Sequence, residues 1–233
     1  FYDDMVRSQP ELLGMNPDAA AIEAYRWYLL AEIGKGGQQN RLRGLLKILA
    51  PGQRDEAVRQ AVAMMPAGLA RAGSYAHFRL GTMYLEGEFL AHAPEKALQH
   101  LQLSAREGNP SALHRLGELH LAGQHARKDE AGAVGYFTRA ADNGHNESKV
   151  TLGELLMSGQ GIAKSEERAV RLFRSAANDG HARAYLYLGH VYRSGITVER
   201  DLIQAYDWYR KAADAGNSEA QFTVGNAYKA GVA

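Results

Sequence analysis

The sequence contains no cysteine and has almost no net charge. The absence of Cys excludes disulfides and thiolate chemistry, but it leaves the compartment open because many extracellular proteins also lack Cys. Lys and Arg together number 27 and Asp and Glu 26, so the chain lacks the basic excess that usually accompanies nucleic-acid binding. We therefore expect no nucleic-acid partner.

The sequence also lacks a long apolar run. No stretch approaches the roughly 18–20 apolar residues that a membrane-spanning helix needs, so we expect no membrane span in this segment. The chain begins at Phe1 without an initiator Met, a basic region or an apolar core, and we expect the native N-terminus to be missing. A location in the bacterial periplasm and one in the cytoplasm both stay open.

Glycine, in contrast, is abundant and regularly spaced. Three series of glycines each recur every 36 residues: Gly81, Gly117, Gly153, Gly189 and Gly225; Gly87, Gly123, Gly159, Gly195 and Gly231; and Gly108, Gly144, Gly180 and Gly216. A fixed period of this length indicates a repeat architecture, in which each unit buries its apolar face against the next.

Each period contains two stretches with the apolar spacing of an amphipathic helix. In the first, Ala76 and Leu80 lie four residues apart and Gly87 ends the stretch. In the second, Ala205 and Tyr209 have the same spacing, and no segment alternates as a strand does. The pattern predicts an all-α fold, a right-handed α-α superhelix (solenoid) of helix-turn-helix repeats. The paired aromatic residues of the second stretches are predicted to be buried: Trp27, Tyr28, Trp208 and Tyr209.

The motif A-x-x-x-L-G-x-x-Y-x-x-G, followed by K-A-x-x-W-Y-x-x-A-A-x-x-G, resembles the Sel-1-like repeat family, relatives of the tetratricopeptide repeat. It is seen in AYLYLGHVYRSG and QAYDWYRKAADAG, and in weaker form in EAYRWYLLAEIG at residues 23–34. The resemblance implies a superhelical scaffold, used as an adaptor between proteins and common in bacterial envelope and signalling complexes. The fold itself implies no activity.

The repeat boundaries predict two regions. Residues 1–71 are expected to be a divergent N-terminal repeat remnant with longer closing helices, and residues 72–233 a regular array. Its predicted repeats are 72–107, 108–143, 144–179, 180–215 and the incomplete 216–233. The second of them carries Gly132 and Gly135 within its second helix, where each costs up to about 1 kcal/mol relative to Ala. We expect this repeat to be the least stable of the array.

The histidines and the glycine-rich loops do not form a recognisable catalytic or metal motif. His114 and His120 lie six residues apart on one predicted helix and so face different sides, while His145 and His181 fall at equivalent turns of the repeat. The loop SGQGI lacks the Lys-Ser/Thr pair and the preceding strand of a phosphate loop. We expect no catalytic residue, no cofactor and no metal.

The first helix of each pair is expected to line a concave groove that binds a protein or peptide. The candidate groove residues are Tyr75, Thr82, Glu118, Leu121, Glu147, Glu154, Met157, Arg183, Leu186, His190, Arg193, Asn226 and Lys229. We expect the acidic residues to form one half of this groove and the basic residues the other. Leu121, Met157 and Leu186 are expected to supply the apolar contact with the partner beneath these charges.

These observations favour a non-enzymatic protein-binding scaffold or adaptor. An envelope scaffold for polysaccharide export or cell-wall assembly remains an alternative. An enzyme that acts on cell-wall or β-lactam substrates is a further one. The resembled family members linked to such chemistry are stapled by disulfides, so the absence of Cys counts against that kinship.

Overall fold

A computed structural model describes residues 17–34, 37–64, 70–87 and 89–230. Within these ranges the chain is helical and has no strand, which confirms the predicted all-α class. The helices are α1 (Pro17–Gly34), α2 (Gln39–Leu46), α3 (Pro51–Met64), α4 (Ala70–Glu86), α5 (Pro94–Arg106), α6 (Pro110–Ala122), α7 (Glu130–Asp142), α8 (Asn146–Ser158), α9 (Glu166–Asn178), α10 (Ala182–Ser194), α11 (Leu202–Asp214) and α12 (Ser218–Lys229). The predicted end of the fifth repeat, residues 231–233, lies outside the described residues.

The chain divides into two compact units, unit 1 (Phe1–Ala112) and unit 2 (Leu113–Ala233). In unit 1, the Tyr25 hydroxyl donates a hydrogen bond to the carbonyl oxygen of Phe89. The fully buried Glu32 carboxylate accepts hydrogen bonds from the Arg79 guanidinium and from the backbone N–H of Gln38. The contacts made by Phe89 and Arg79 join segments far apart in the sequence. The predicted boundary after residue 71 stays a prediction.

From α4 onwards the helices alternate in type, as the period predicts. We call α4, α6, α8, α10 and α12 the first helices, and α5, α7, α9 and α11 the second helices. The first helices α8 and α10 end at Gly159 and Gly195, which have a left-handed backbone. The backbone N–H of each glycine donates a hydrogen bond to a carbonyl oxygen in the last turn of its helix.

A glycine on each of the first helices α4, α6, α8 and α10 allows the following second helix to pack closely. A Cβ atom at Gly153 would lie 2.4 Å from Cε1 of Phe173, and one at Gly189 would lie 2.4 Å from Cε1 of Tyr209. Such distances are shorter than atoms tolerate, so only glycine fits while the ring stays in place. Phe173 is fully buried, and burying such a side chain contributes about 1.5–3 kcal/mol. The 36-residue series therefore encodes the contact between the two helices of a repeat.

In each aromatic pair only the tyrosine is buried, and Trp27 is exposed, so its predicted burial is wrong. Trp27 is 46% exposed, with the Arg26 guanidinium over its ring, whereas Tyr28 is buried. In α11, Tyr209 is buried, while Trp208 is half-buried beneath the ammonium group of Lys211. Successive helical residues point about 100° apart because a turn takes 3.6 residues, so two adjacent rings cannot both face the same core.

The turns after α6 and α10 keep the backbone conformation of the turn after α8, although their second glycine is replaced. Gly161, the second glycine of the G-x-G sequence, has φ 69°, and its equivalents His125 and Thr197 have φ 58° and 60°. Left-handed backbone costs a non-glycine residue roughly 1–2 kcal/mol. The packing of the repeat thus imposes the conformation even where the sequence lacks the favoured residue.

Candidate functional site

The candidate groove residues lie on the first helices, and those of unit 1 differ in exposure. The Tyr75 side chain on α4 is 41% exposed. Thr82 on the same helix is half-buried, and its hydroxyl donates to the carbonyl oxygen of Phe78 within the helix. Tyr75 therefore offers a ring to solvent, whereas the Thr82 hydroxyl is already engaged.

In unit 2, α6 and α8 are joined by a hydrogen-bonded histidine cluster. His114 Nδ1 lies 2.8 Å from the buried Oγ of Ser148, and His145 Nδ1 lies 2.9 Å from the same oxygen. The Nε2 atom of His114 is 3.3 Å from Glu118 Oε1, and Arg115 Nη1 donates to Glu118 Oε2 at 2.8 Å. Hydrogen bonds from His114 and Arg115 lower the pKa of Glu118 to about 2. Glu118 is therefore ionised and already partnered.

His145 also serves its own helix, as the sequence predicts for a turn residue. It is the N-cap of α8, and its Nδ1 atom accepts from the backbone N–H of Ser148 at 3.2 Å. Burial, followed by the positive field of His114 and His181, lowers its pKa. The neutral ring is thus the form that suits its place between the helices.

A second cluster joins α8 and α10 through one guanidinium. Arg183 on α10 contacts the carboxylates of both Glu147 and Glu154 on α8, and His181 Nε2 lies 3.0 Å from Glu147 Oε2. Burial raises the pKa of Glu154, and a hydrogen bond from Tyr187 partly offsets this effect. The pKa of Tyr187 rises to about 12, chiefly through burial and next through Glu154.

The predicted acidic and basic halves of the groove are in contact where α8 meets α10. Glu154 and Arg183, placed in different halves by the sequence analysis, form an ion pair at a separation of 29 residues. His190 and Glu219 lie at the same separation on α10 and α12, with Nε2 3.6 Å from Oε1. Residues at these positions of successive first helices are neighbours. Opposite charges there neutralise each other rather than remaining available to a partner.

The α10–α12 junction contains a further polar contact with a second helix. His190 Nδ1 lies 3.0 Å from the hydroxyl oxygen of Tyr209, whose ring packs on α10. Burial is the main cause of the lowered His190 pKa, the positive charge of Arg193 adds to it, and Glu219 opposes it. The Arg193 guanidinium lies 6.0 Å from the centre of the Tyr209 ring.

The apolar groove candidates are not equivalent. Leu186 is only 5% exposed and belongs to the core with Tyr209 and Ala220, so its expected contact with a partner is wrong. It faces inward because its turn of α10 packs between α11 and α12. Leu121 and Met157 are half-buried against the neighbouring core cluster, and each keeps part of its side chain accessible.

A Ser–His–Glu hydrogen-bond chain is present in the first cluster, but it does not have the exposure of a catalytic triad. Ser148 has no exposed surface, and its oxygen lies between His114 and His145. A nucleophile has to reach the substrate atom that it attacks. No group of three or more potential metal-ligating side chains occurs in the part of the chain that the structure describes. None of its helices is long and apolar enough to cross a membrane.

Unit 1 has a surface depression that the sequence analysis missed. Its volume is about 430 Å³, and it is lined by Trp27, Tyr28, Ala31, Gln38 and Arg41. The Arg41 guanidinium lies 5.3 Å from the centre of the Tyr28 ring. Trp27 and Tyr28 are its two aromatic lining residues, and the signal available from sequence was this adjacent pair.

Comparison with known proteins identifies the repeat type. The model of the Sel1 repeat matches residues 74–109, 110–145, 151–181 and 182–217. Among solved structures, a Sel1 repeat protein from Oxalobacter formigenes is 26% identical, with a TM-score of 0.69 over 83% of this chain and 76% of that one. A protective antigen of uropathogenic Escherichia coli with an SLR fold is 19% identical, with a TM-score of 0.61. That match covers 97% of this chain and 51% of the antigen, so this chain spans about half of its length. No curated protein matches the sequence.

Three residues that contact the candidate groove residues were not predicted from the sequence. Ser148, His181 and Tyr187 hold the groove carboxylates and histidines in place, but none of them was a candidate. The signal that identifies such neighbours is a separation of 33 or 34 residues between interacting positions of successive repeats. A search at the 36-residue period alone compares equivalent residues and overlooks it.

Proposed function

Because the chain belongs to the Sel1 repeat family, we propose that it is a non-catalytic scaffold that binds a protein partner along the first helices of unit 2. Sel1 repeats typically bind proteins, and the proposal assigns that role to one surface of this chain. The surface consists of the accessible candidate residues of α6, α8, α10 and α12.

The observation that carries the proposal is the series of side-chain contacts between successive first helices. His114 meets Ser148, Glu154 meets Arg183, and His190 meets Glu219. Such contacts hold the side chains in defined positions before a partner arrives. A pre-organised surface binds more tightly because less conformational entropy is lost on association.

The histidines and carboxylates that an enzyme would need are engaged in these junctions. Ser148 is buried, and Glu118 is held by His114 and Arg115. The contacts support a structural role for this set. An envelope scaffold for polysaccharide export or cell-wall assembly is the same kind of scaffold with a particular partner. No contact among the described residues favours that partner over another.

The proposal is tested by selecting peptides from a displayed library against the full chain and mapping the bound peptide by amide hydrogen exchange. We expect protection on the first helices of unit 2. Met157→Asp should weaken the selected peptides by about tenfold or more, since it places a charge in an apolar contact. Arg171→Glu, on the exposed face of α9, is the control and should change binding less than about twofold. Failure to select any peptide, or protection confined to the second helices, would show that the proposed surface does not bind.

A further inference from the structure

The residue before each of the first helices α6, α8, α10 and α12 is either asparagine or histidine. At the 36-residue spacing this position holds Asn109, His145, His181 and Asn217. The amide oxygens of Asn109 and Asn217 accept from backbone N–H groups in the first turns of α6 and α12. His145 Nδ1 accepts from the backbone N–H of Ser148 in the same way. The cap of α8 therefore depends on a ring whose charge changes between about pH 5 and 8.

The hydrogen bonds around Ser148 have a fixed direction. Because His145 Nδ1 accepts from the Ser148 backbone N–H, this nitrogen carries no proton. The Ser148 hydroxyl, 2.9 Å from the same nitrogen, therefore donates to it and accepts from His114 Nδ1 at 2.8 Å. The bonds run from His114 on α6 through Ser148 to His145, and this arrangement requires a neutral His145.

A second proton on the His145 ring disrupts this arrangement. Its Nδ1 atom can no longer accept from the Ser148 backbone N–H, so α8 loses its N-cap. The Ser148 hydroxyl proton loses its acceptor as well. The new positive charge lies at a helix N-terminus, where the helix dipole opposes it, and beside the His114 ring, whose centre is 4.7 Å from that of His145.

Charged groups on several sides act on the His145 ring. Burial lowers its pKa most, and the positive charges of His114 and His181 lower it further, whereas the Glu118 carboxylate raises it. Other charged side chains of these elements have a partner or lie in solvent: Arg115 pairs with Glu118, Glu147 with Arg183, Lys149 with Asp179, and Asp142 at the end of α7 is exposed. Burial and the positive neighbours outweigh the negative one, so the neutral ring is favoured.

This balance determines how the stability of the chain depends on pH. In the unfolded chain, a histidine binds its second proton near its ordinary pKa of about 6.5. In the folded chain, burial lowers the pKa of His145, so the proton binds only at lower pH. The unfolded state then holds more protons. The contribution of His145 to the free energy of unfolding therefore falls as the pH decreases below about 6.5 and is unchanged above it.

We propose that His145, Ser148 and His114 form an acid-sensitive switch between α6 and α8. The switch is closed while His145 is neutral, and it opens in mildly acidic solution when the ring takes up a second proton. Opening releases the first turn of α8 and its hydrogen bond to α6. As a consequence, the first-helix surface binds its partner more weakly in acid. This consequence rests on the proposed function, whereas the switch itself does not.

His181 separates the switch from a general effect of buried histidines. It occupies the equivalent position before α10, and burial lowers its pKa too. Its Nδ1 atom has no hydrogen-bond partner among the described residues, so its protonation removes no cap. A general effect would weaken the first turns of α8 and α10 alike, whereas the switch weakens that of α8 more.

The test is amide hydrogen exchange of the full chain at about pH 7.5 and about pH 5.5, corrected for the intrinsic effect of pH on exchange. We expect the protection of residues 148–152 to fall by about tenfold at the lower pH. His145→Asn copies the caps of α6 and α12 and cannot take up the proton. It should reduce this fall to less than about twofold.

The matched control is His181→Asn, which should leave the fall in α8 within about twofold of that in the unchanged chain. Equal protection of residues 148–152 at both pH values overturns the inference. An undiminished fall in the His145→Asn variant, or an equal fall in residues 184–188 of α10, overturns it as well.

A second measurement tests the consequence for partner binding. A selected library peptide without His should bind about fivefold more weakly at the lower pH, and His145→Asn should restore its binding. Equal binding of the peptide to the unchanged chain at both pH values would show that the switch does not act on the surface. Failure to select any peptide would contradict the proposed function alone, because the exchange measurement tests the switch without a partner.

Discussion

The helix pair α6–α7 and the pair α8–α9 have the same core but different exposed residues. Phe137 and Phe173 are each fully buried against a glycine of the preceding first helix. At two equivalent positions on their second helices, α7 has Gly132 and Gly135 where α9 has arginines. The comparison shows that the two repeats keep the same core, including the ring-on-glycine contact, while the exposed face of the second helix changes.

The two glycines of α7 are not alike in their surroundings. The N-cap Asp129 accepts a hydrogen bond from the backbone N–H of Gly132, and a Cβ atom at Gly132 would lie 2.3 Å from the Asp129 carboxylate. A Cβ atom at Gly135 would meet nothing within 4 Å. An N-cap contributes roughly 0.5–2 kcal/mol, so Asp129 offsets part of the glycine cost. Gly135 has no such compensation.

The largest expected effect comes from removing the shared aromatic contact. Phe137→Ala and Phe173→Ala should each lower the free energy of unfolding by about 3–5 kcal/mol, because each leaves a cavity between the paired helices. Chemical denaturation measures both losses. If the free energy of unfolding of one variant fell by less than about 1 kcal/mol, its ring would not be part of the core. The two repeats would then not have equivalent cores.

A smaller loss is expected when the glycine beneath the ring is filled. Gly117→Ala and Gly153→Ala should each cost about 1–3 kcal/mol, since the new methyl group overlaps a ring that is held on all sides. Gly135→Ala is the control, because a Cβ atom there meets nothing within 4 Å. It should stabilise α7 by up to about 1 kcal/mol. Similar thermal shifts for all three variants would contradict the steric explanation of the glycine series.

The smallest expected effect concerns the difference in helix stability between α7 and α9. Gly135→Ala should raise the free energy of unfolding by about 0.5–1 kcal/mol, because it removes the backbone entropy cost of an uncompensated glycine. In the unchanged chain, amides of residues 134–141 should exchange faster than those of 170–177, and the substitution should reduce the difference. Equal protection in the two segments before any substitution would show that the glycines do not weaken α7.

The candidate surface was predictable only in part. The sequence places Glu147, Glu154 and Arg183 on first helices, because each stands at a fixed distance from a repeating Leu-Gly pair. It does not show that the guanidinium of Arg183 reaches both carboxylates, since that contact depends on how far successive helices are offset. The burial of Leu186 and the exposure of Trp27 depend on the same rotation of each helix about its axis.

The amino-acid sequence by itself determined the helix-pair repeat, its 36-residue period and the positions of the recurring glycines. These features follow from local spacing, because a 3.6-residue turn and a residue without a side chain act within a single repeat. Only the tertiary structure decided which charges neutralise each other and which remain exposed. It also decided that His125 and Thr197 adopt a left-handed backbone. Both outcomes depend on the packing of one repeat against its neighbours, which overrides the local preference of the individual residue.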